Sequence, residues 1–401
     1  PNNPIDWAAL EQTLSQPLLA DLGQQIELPF DMHIQGIHGT NWQYQAINTK
    51  GESEFEVKVS SADLLADATG DNVQLQTLSV TSSLGEVQAK GHIQLQADFP
   101  LQLNINADLN ALKQKETVLL PATKANLTLS GTLKKQTALL LQTQGAIDAE
   151  LKAEAQLTAP KTPLNVKLAV ARGQYPFDGN DPLSIKDVNL TINGDILTSQ
   201  IQLNGAVSGM GIPANSLDLQ AIGHLSNIEI HQLKLNALEG AAELKGDVNW
   251  RDGVEWDSHL QLAKMNLGRY LSAFPAVLSG ELSSQGQVNQ KGWQVAVPQV
   301  DIQGTLAQHS IALQGGLTAG DQQGVTIPQL VLTYGENKIH AQGSMGKQSD
   351  FTLNINAPNL RGLWADLSAG VAGHIKLNGD VMRPQVDVDL TANHVAFQQM
   401  H

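Results

Sequence analysis

The 401-residue chain contains no cysteine, which excludes disulfides, thiolate zinc sites and cysteine nucleophiles. Aromatic residues make up only 4% of it, too few for an interior built on large rings. Charged residues are 16%, against about 25% in ordinary domains. Positive charge is scarcest: 24 Lys+Arg face 39 Asp+Glu, a net charge of −15. That balance argues against nucleic acid, whose phosphates require clustered cations. It also argues against docking on an anionic membrane surface. No stretch approaches the roughly 18 uninterrupted apolar residues of a membrane span. The opening Pro1-Asn2-Asn3-Pro4 has no basic region followed by an apolar core. The expectation is a segment of a longer protein whose targeting information lies elsewhere.

What is present is alternation. Hydrophobic residues are 41% of the chain, and much of the polar remainder is Gln, Asn, Ser and Thr. Leu101-Gln-Leu103-Asn-Ile105-Asn-Ala107 alternates apolar and polar, as does Ile93-Gln-Leu95-Gln-Ala97 before it. The same pattern recurs at Leu233-Lys-Leu235, Leu260-Gln-Leu262, Leu353-Asn-Ile355 and Ile375-Lys-Leu377. Successive side chains of a strand point to opposite faces, so each run reads as a strand with one apolar and one hydrated face. Antiparallel sheets carry this signature, whereas buried parallel strands read as continuous apolar runs.

A longer repeat lies over the alternation. Leu78-Ser-Val80 is followed by Gly91, Leu233-Lys-Leu235 by Gly246, and Leu330-Val-Leu332 by Gly343. The spacing is 13 each time (91 − 78, 246 − 233, 343 − 330). The unit reads as three strands joined by turns, with the glycine closing the second strand. The third strand ends in Asp108-Leu109, Asn266-Leu267 or Asn359-Leu360. Repeats of this kind need no domain boundary, so residues 1–401 are read as one continuous array. Helical signal is sparse. A short helix is expected within residues 1–22, capped at Asn3-Pro4-Ile5-Asp6, with Trp7, Leu10 and Leu14 on one face. Two more are expected at Leu267–Leu278 and Leu360–Leu367. Residues 175–182, with two prolines, read as a loop inserted between repeats.

Catalytic motifs are missing. Gly209-Met-Gly211-Ile-Pro213 lacks the helix a dinucleotide loop requires and reads as a turn. His33 and His38 read as strand-face residues, and Asp178 and Asp181 as turn residues without the calcium-loop pattern. Asp387 and Asp389 read as solubilising residues on one strand face. The six tryptophans (7, 42, 250, 256, 293, 364) look dispersed. No metal, cofactor or enzymatic activity is expected. The apolar face itself remains, and the pattern leaves it open between a core closed by a second sheet and an exposed aliphatic groove.

Two stretches resemble a known family. One is Asn266-Leu-Gly-Arg-Tyr-Leu-Ser-Ala-Phe-Pro-Ala-Val-Leu-Ser-Gly280-Glu-Leu-Ser-Ser-Gln-Gly286. The other is Leu367-Ser-Ala-Gly-Val-Ala-Gly373-His-Ile-Lys-Leu-Asn-Gly379-Asp-Val-Met-Arg-Pro384-Gln-Val. Both are similar to repeats of the bacterial TamB proteins, relatives of the AsmA-like group, and the likeness extends in style along nearly the whole chain. The resemblance implies an all-β fold: an elongated, curled antiparallel sheet, the repeating β-groove of bridge-like lipid transfer proteins, with a few short helices. It implies a Gram-negative periplasmic location and an inner-membrane anchor helix outside this segment, which would be a middle portion of the periplasmic part. It also implies an outer-membrane barrel partner, TamA, reached through other parts of the protein.

With that resemblance, the expected function is a conduit for phospholipids between the two membranes. Each methylene exposed to water costs about 0.8 kcal/mol, so a sixteen-carbon chain crossing water costs on the order of 12 kcal/mol. An aliphatic trough removes most of that cost without any reactive group. The expected lining is Ile93, Leu95, Leu101, Leu103, Ile105, Leu233, Leu235, Leu260, Leu262, Leu330, Leu332, Leu353, Ile355, Ile375 and Leu377. Gln102, Asn104, Gln261 and Asn354 are expected to face water. The alternative is a β-scaffold that assists assembly of outer-membrane proteins by offering strand edges. One ladder of roughly 30–40 strands at about 4.8 Å spacing would extend on the order of 150–190 Å.

Overall fold

The computed structural model describes residues 5–20, 22–23, 25–47, 53–114, 117–360, 367–380 and 383–397. One helix, α1 (Trp7–Leu14), precedes β1 (Met32–Ile47), β2 (Ser53–Thr69), β3 (Asn72–Ser82), β4 (Gly85–Gln94) and β5 (Pro100–Leu109). A short hairpin follows, β6 (Leu112–Gln114) and β7 (Thr117–Leu120). Next come β8 (Thr123–Thr132), β9 (Thr137–Gln144), β10 (Ile147–Ala155), β11 (Leu164–Tyr175), β12 (Leu183–Gly194), β13 (Thr198–Gly209) and β14 (Ile212–His224). The remainder is β15 (Asn227–Ala237), β16 (Gly240–Asn249), β17 (Val254–Asn266), β18 (Ala276–Asn289), β19 (Gly292–Leu306), β20 (His309–Gly320), β21 (Gly324–Tyr334), β22 (Asn337–Met345), β23 (Gln348–Ala357), β24 (Leu367–Asp380) and β25 (Gln385–Phe397).

The fold class is all-β and antiparallel. Twenty-three strands make this sheet, and β6 with β7 make a separate hairpin. The chain divides into two compact units, residues 1–214 with 222–225, and residues 215–221 with 226–401. Within each unit, successive sheet strands pair with one another, β5 pairing with β8 across the hairpin. Among the described residues β1 pairs only with β2 and β25 only with β24, so the sheet is not closed.

Strict alternation breaks where the repeat begins. Leu75 pairs with Gly91 and Leu78 with Ala89, so two residues oppose one in a β-bulge. The same bulge recurs between Ile230 and Leu233 opposite Gly246 and Leu244, and between Ile327 and Leu330 opposite Gly343 and Ala341. A fourth lies between Val297 and Val300. Pro298 and Pro328 occupy two of these bulges, places where a strand tolerates a residue without an N–H. The bulge keeps both flanking apolar residues on one face across an odd spacing.

The repeat glycines therefore lie inside the second strand and do not close it. Each faces the apolar residue that opens the bulge. At Gly246, φ is 152° and a Cβ would fall 2.1 Å from the Asp257 carbonyl oxygen. At Gly343, φ is 114° and the corresponding distance to the Asp350 oxygen is 2.0 Å. Backbone approach, not strand termination, fixes glycine at the 13-residue interval.

The helical expectations hold in part. Helix α1 is capped by Asp6, whose Oδ1 accepts from Ala9 N–H at 3.0 Å, and ends at Leu14. Asn3 and Pro4 lie outside the described residues. At Leu267 only a single 3-10 turn forms, Leu267–Arg269, and Leu278 belongs to β18, because Pro275 cannot continue a helix. Most of the proposed Leu360–Leu367 helix lies outside the described residues, and Leu367 opens β24. Leu95 and Ala97 are not strand residues: β4 ends at Gln94, and Ala97 turns with φ 54°.

After α1 the chain crosses strand ends of the first unit. Leu19 N–H donates to Leu157 O at 3.0 Å, Ile26 N–H to Leu95 O at 2.7 Å, and Leu28 N–H to Gly70 O at 3.0 Å. This segment straps the turns that follow β10, β4 and β2. Residues 176–182 join β11 to β12.

Gly246→Val should lower stability by about 1–3 kcal/mol, the scale of local backbone strain. Gly70→Asn should cost less than about 1 kcal/mol, since Asn tolerates a left-handed φ and nothing lies within 4 Å of that position. Urea unfolding midpoints compare the two, and equal losses would contradict the close-approach argument.

Candidate functional site

The antiparallel register turns separate alternations into continuous rows. In the first unit one row runs Ile37, Leu64, Leu78, Ala89, Ile105, Leu127, Leu141, Leu151, Leu168, Leu190, Leu203, each directly paired with the next. Beside it run Leu75, Gly91, Leu103, Leu129, Leu139, Ala153, Val166, Ile192 and Ile201. In the second unit the row is Leu233, Leu244, Leu260, Leu282, Val300, Gly315, Leu330, Ala341, Leu353, Ile375, Val388. Its neighbour is Leu235, Ala242, Leu262, Gly280, Ile302, Leu313, Leu332, Ile339, Ile355, Gly373, Leu390. No polar side chain interrupts any of the four. A one-residue slip anywhere would turn a strand's apolar set to the opposite face.

The expected lining residues fall on these rows or next to them. Ile93 pairs with Leu101, and Leu377 with Phe351 and Val386. Leu95 is the exception, since it lies past the end of β4 with its carbonyl accepting from Ile26 N–H. All fifteen are half-buried. Ala89, Val300 and Ala341 of the rows are buried, and the bulkiest fully buried side chains among the described residues, Phe99 and Thr162, lie between strands. A face covered by a second layer would hide its leucines, so within each unit these rows are partly open to solvent.

The other face is held by amides and carboxylates. Gln142 Nε2 donates to Glu150 at 2.8 Å, Gln285 to Asp257 at 2.8 Å, Gln314 to Asp301 at 3.1 Å and Gln43 to Glu56 at 2.8 Å. Each is a cross-strand pair, and Gln supplies the donor that Lys or Arg supplies on other sheets. Asn104, exposed Gln102, Gln261 and Asn354 belong to this face, where Asn104 accepts from Thr128 at 3.2 Å. His33 and His38 lie on β1 opposite Asp67 and Asp63, with Nδ1 of His33 2.9 Å from Asp67.

Among the described residues, exposed Glu239 and half-buried Asp148, Glu150 and Glu243 have carboxyls held below their usual range. A backbone N–H from Gly145 and then the Arg172 guanidinium act on Asp148; Lys152 and then Gln142 act on Glu150. Arg269 and then Asn266 lower Glu239, and Gln232 and then Lys245 lower Glu243. Depressed carboxyl pKa values add stability above the ordinary carboxylate range, and that stability is lost as pH falls through the lowered values.

Asp178 and Asp181 brace turns. Asp178 Oδ2 accepts from Val118 N–H at 2.9 Å and Asp181 Oδ2 from Gly211 N–H at 3.0 Å. Among the described residues no group of three or more His, Cys, Asp or Glu is arranged to hold a metal ion. No helix among them is long and apolar enough to cross a membrane. The tryptophans are not all dispersed. Trp250, Trp256 and Trp293 gather toward one end of β16–β19, where Val254, Val288 and Trp293 pair in succession. Trp364 lies outside the described residues. Sequence distance concealed this cluster, because Trp250 and Trp293 are 43 positions apart (293 − 250) and only hairpin register unites them.

An open antiparallel sheet whose aliphatic rows run unbroken within each unit defines the class: an all-β repeat protein with one apolar and one hydrated face to its strands. The family profile described as TamB, N-terminal domain, matches residues 1–401, and the chain belongs to the TamB family. It is 44% identical over 400 residues to the translocation and assembly module subunit TamB of Haemophilus influenzae, covering 99% of this chain and 31% of that protein. It is 20% identical over 300 residues to a protein of Buchnera aphidicola subsp. Schizaphis graminum, covering 73% of this chain and 28% of that one. A protein of Buchnera aphidicola subsp. Acyrthosiphon pisum is 18% identical over 353 residues, covering 86% and 34%. Both Buchnera proteins are described only as uncharacterized. The chain spans about a third of the length of these relatives. No solved structure matches it.

Leu260→Ala on the half-buried row should cost on the order of 1–2 kcal/mol, below the roughly 2–5 kcal/mol of a closed core. Chemical denaturation measures it, and a loss at the upper end of the core range would mean that a second layer covers this face.

Proposed function

We propose that the chain is a stretch of a passive conduit that shields phospholipid acyl chains as they cross the periplasm between inner and outer membrane. The observation that carries this reading is the set of unbroken, half-open aliphatic rows. A solvated face of this kind is costly to expose, and an acyl chain laid on it removes water from both surfaces. The rows contain no charge and need none, because transfer by this route breaks no bond. Leu103 and its neighbours solvate chains, while Gln102 and the amide–carboxylate ladder keep the opposite face wet. In this reading the longer protein is anchored in the inner membrane and meets a TamA-type outer-membrane barrel through regions outside this chain. The subunit name of the Haemophilus relative, which speaks of translocation and assembly, is compatible with such a role in the envelope.

Photocrosslinking in living cells tests this, with the probe at Leu103 and a control at Gln102. Phospholipid adducts at Leu103 alone are expected. Protein adducts would favour a scaffold that pairs strands with client proteins, and no adducts at either position would favour a closed core. Leu103→Asp should abolish lipid transport while Gln102→Asp leaves it intact, with circular dichroism confirming that both variants fold. Equal loss in two folded variants would overturn the proposal. The conduit also requires an extended chain: twenty-three strands in one ladder at about 4.8 Å spacing, fewer than the 30–40 expected, give a radius of gyration about one and a half times the roughly 22 Å of a globule this size. Solution scattering near the globular value would contradict it.

A further inference from the structure

We infer that the turns β16–β17 and β18–β19 form a rim subsite for the phosphate end of a glycerophospholipid, whose acyl chains run down the apolar face of β17–β19. This rests on the groove reading above and adds a position and an orientation to it.

The apolar face changes character along these strands. At Leu260, Leu282 and Val300 it is aliphatic. Toward the turns it passes the Ser258–Ser284 pair and then Trp256, which lies across Gly286, where an added Cβ would meet the indole at 2.2 Å. Its Nε1 donates to Ser284 Oγ at 3.1 Å. Beyond it, Trp250 is 38% exposed, Val254 45%, Val288 48% and Trp293 44%. Indole rings favour such a boundary, with an apolar body against hydrocarbon and an N–H toward polar groups.

Cations stand at the tips of the same two turns. Asn249 Oδ1 accepts from Arg251 N–H at 2.8 Å, and Asn289 Oδ1 accepts from Lys291 N–H at 2.8 Å. The sequences Asn249-Trp-Arg251 and Asn289-Gln-Lys291 thus build matching turns two hairpins apart, each presenting a positive side chain in a chain of net charge −15. Arg251 is anchored, its Nε donating to Ser226 Oγ at 3.3 Å. Among the described residues no carboxylate forms an ion pair with Lys291. Asp252 and Asp321 adjoin the turns, so the rim is locally mixed rather than a basic patch. A single phosphodiester matches this charge better than a polyanion does.

Length fits as well. From Val288 to Gly280 the face of β18 extends about 26 Å at 3.3 Å per residue, longer than an extended sixteen-carbon chain. A lipid with its phosphate at Lys291 lays its tail on a face that is apolar except where Ser284 pairs with Ser258, whose hydroxyls are already engaged with Trp256 and the backbone.

The test uses the purified chain loaded with phosphatidylethanolamine brominated either next to the glycerol or near the chain ends. Lipid retention itself is read by mass spectrometry. The glycerol-proximal bromines should quench the stronger share of tryptophan fluorescence, and Trp250→Phe with Trp293→Phe should remove that share. Lys291→Glu should weaken retention of phosphatidylethanolamine on the order of tenfold, the scale of one charge-assisted contact. It should leave diacylglycerol, which lacks the phosphate, unchanged, and Lys291→Gln should give an intermediate loss. Retained lipid with stronger quenching from the chain ends would overturn the rim subsite and leave the groove standing. So would equal weakening of both lipids by Lys291→Glu. No retained lipid on the wild-type chain would overturn the groove reading beneath it.

Discussion

Everything in this molecule depends on antiparallel register. Each strand offers apolar side chains on one face only, and that face is useful only if every neighbour agrees. Direct pairs such as Leu127 with Leu141 and Leu353 with Ile375 propagate the agreement from strand to strand. A slip of one residue would place Gln or Asp among the leucines and bury a polar group without a partner. The bulges at Leu75–Leu78, Ile230–Leu233 and Ile327–Leu330 are where the chain resets that agreement. The glycines opposite them let the next strand's backbone approach closely, at the Gln102, Asp257 and Asp350 carbonyls.

The unusual composition follows from the same constraint. Open aliphatic rows cannot spend large rings on a core they do not close, so aromatics are few, and most of those described lie in turns or near strand ends, Trp42, Tyr44 and Phe351 excepted. The hydrated face needs donors for its acidic side chains, and Gln and Asn provide them across neighbouring strands. Those amides carry no charge, which explains how the surface stays hydrated while Lys and Arg remain scarce. The four lowered carboxyl pKa values mark places where a cation or amide reinforces this stitching.

A face of this kind differs from an active site in what it asks of residues. Catalysis needs a few groups placed to a fraction of an ångström, whereas solvating hydrocarbon needs area and continuity. No single leucine in the rows is special, yet a charge at any one of them would interrupt the apolar row. The rim of β16–β19 is the exception. There, three indoles, a lysine and an arginine lie at one end of the same strands, and the proposed subsite would depend on position rather than area.

Much of this was legible in the sequence. Alternation at Leu101–Ala107 and Leu353–Ile355 determined the strands and their apolar faces, because side-chain period is a local property of extended backbone. The 13-residue recurrence of glycine was visible too, although its cause was not. Only the tertiary structure decided which leucine faces which, that Leu95 leaves its strand, that Leu267–Arg269 is one turn rather than a helix, and that Trp250 and Trp293 share a rim. Those facts depend on pairing between residues distant along the chain. Periodicity records the face a side chain occupies; it carries no information about the neighbour that hairpin geometry and bulges bring beside it.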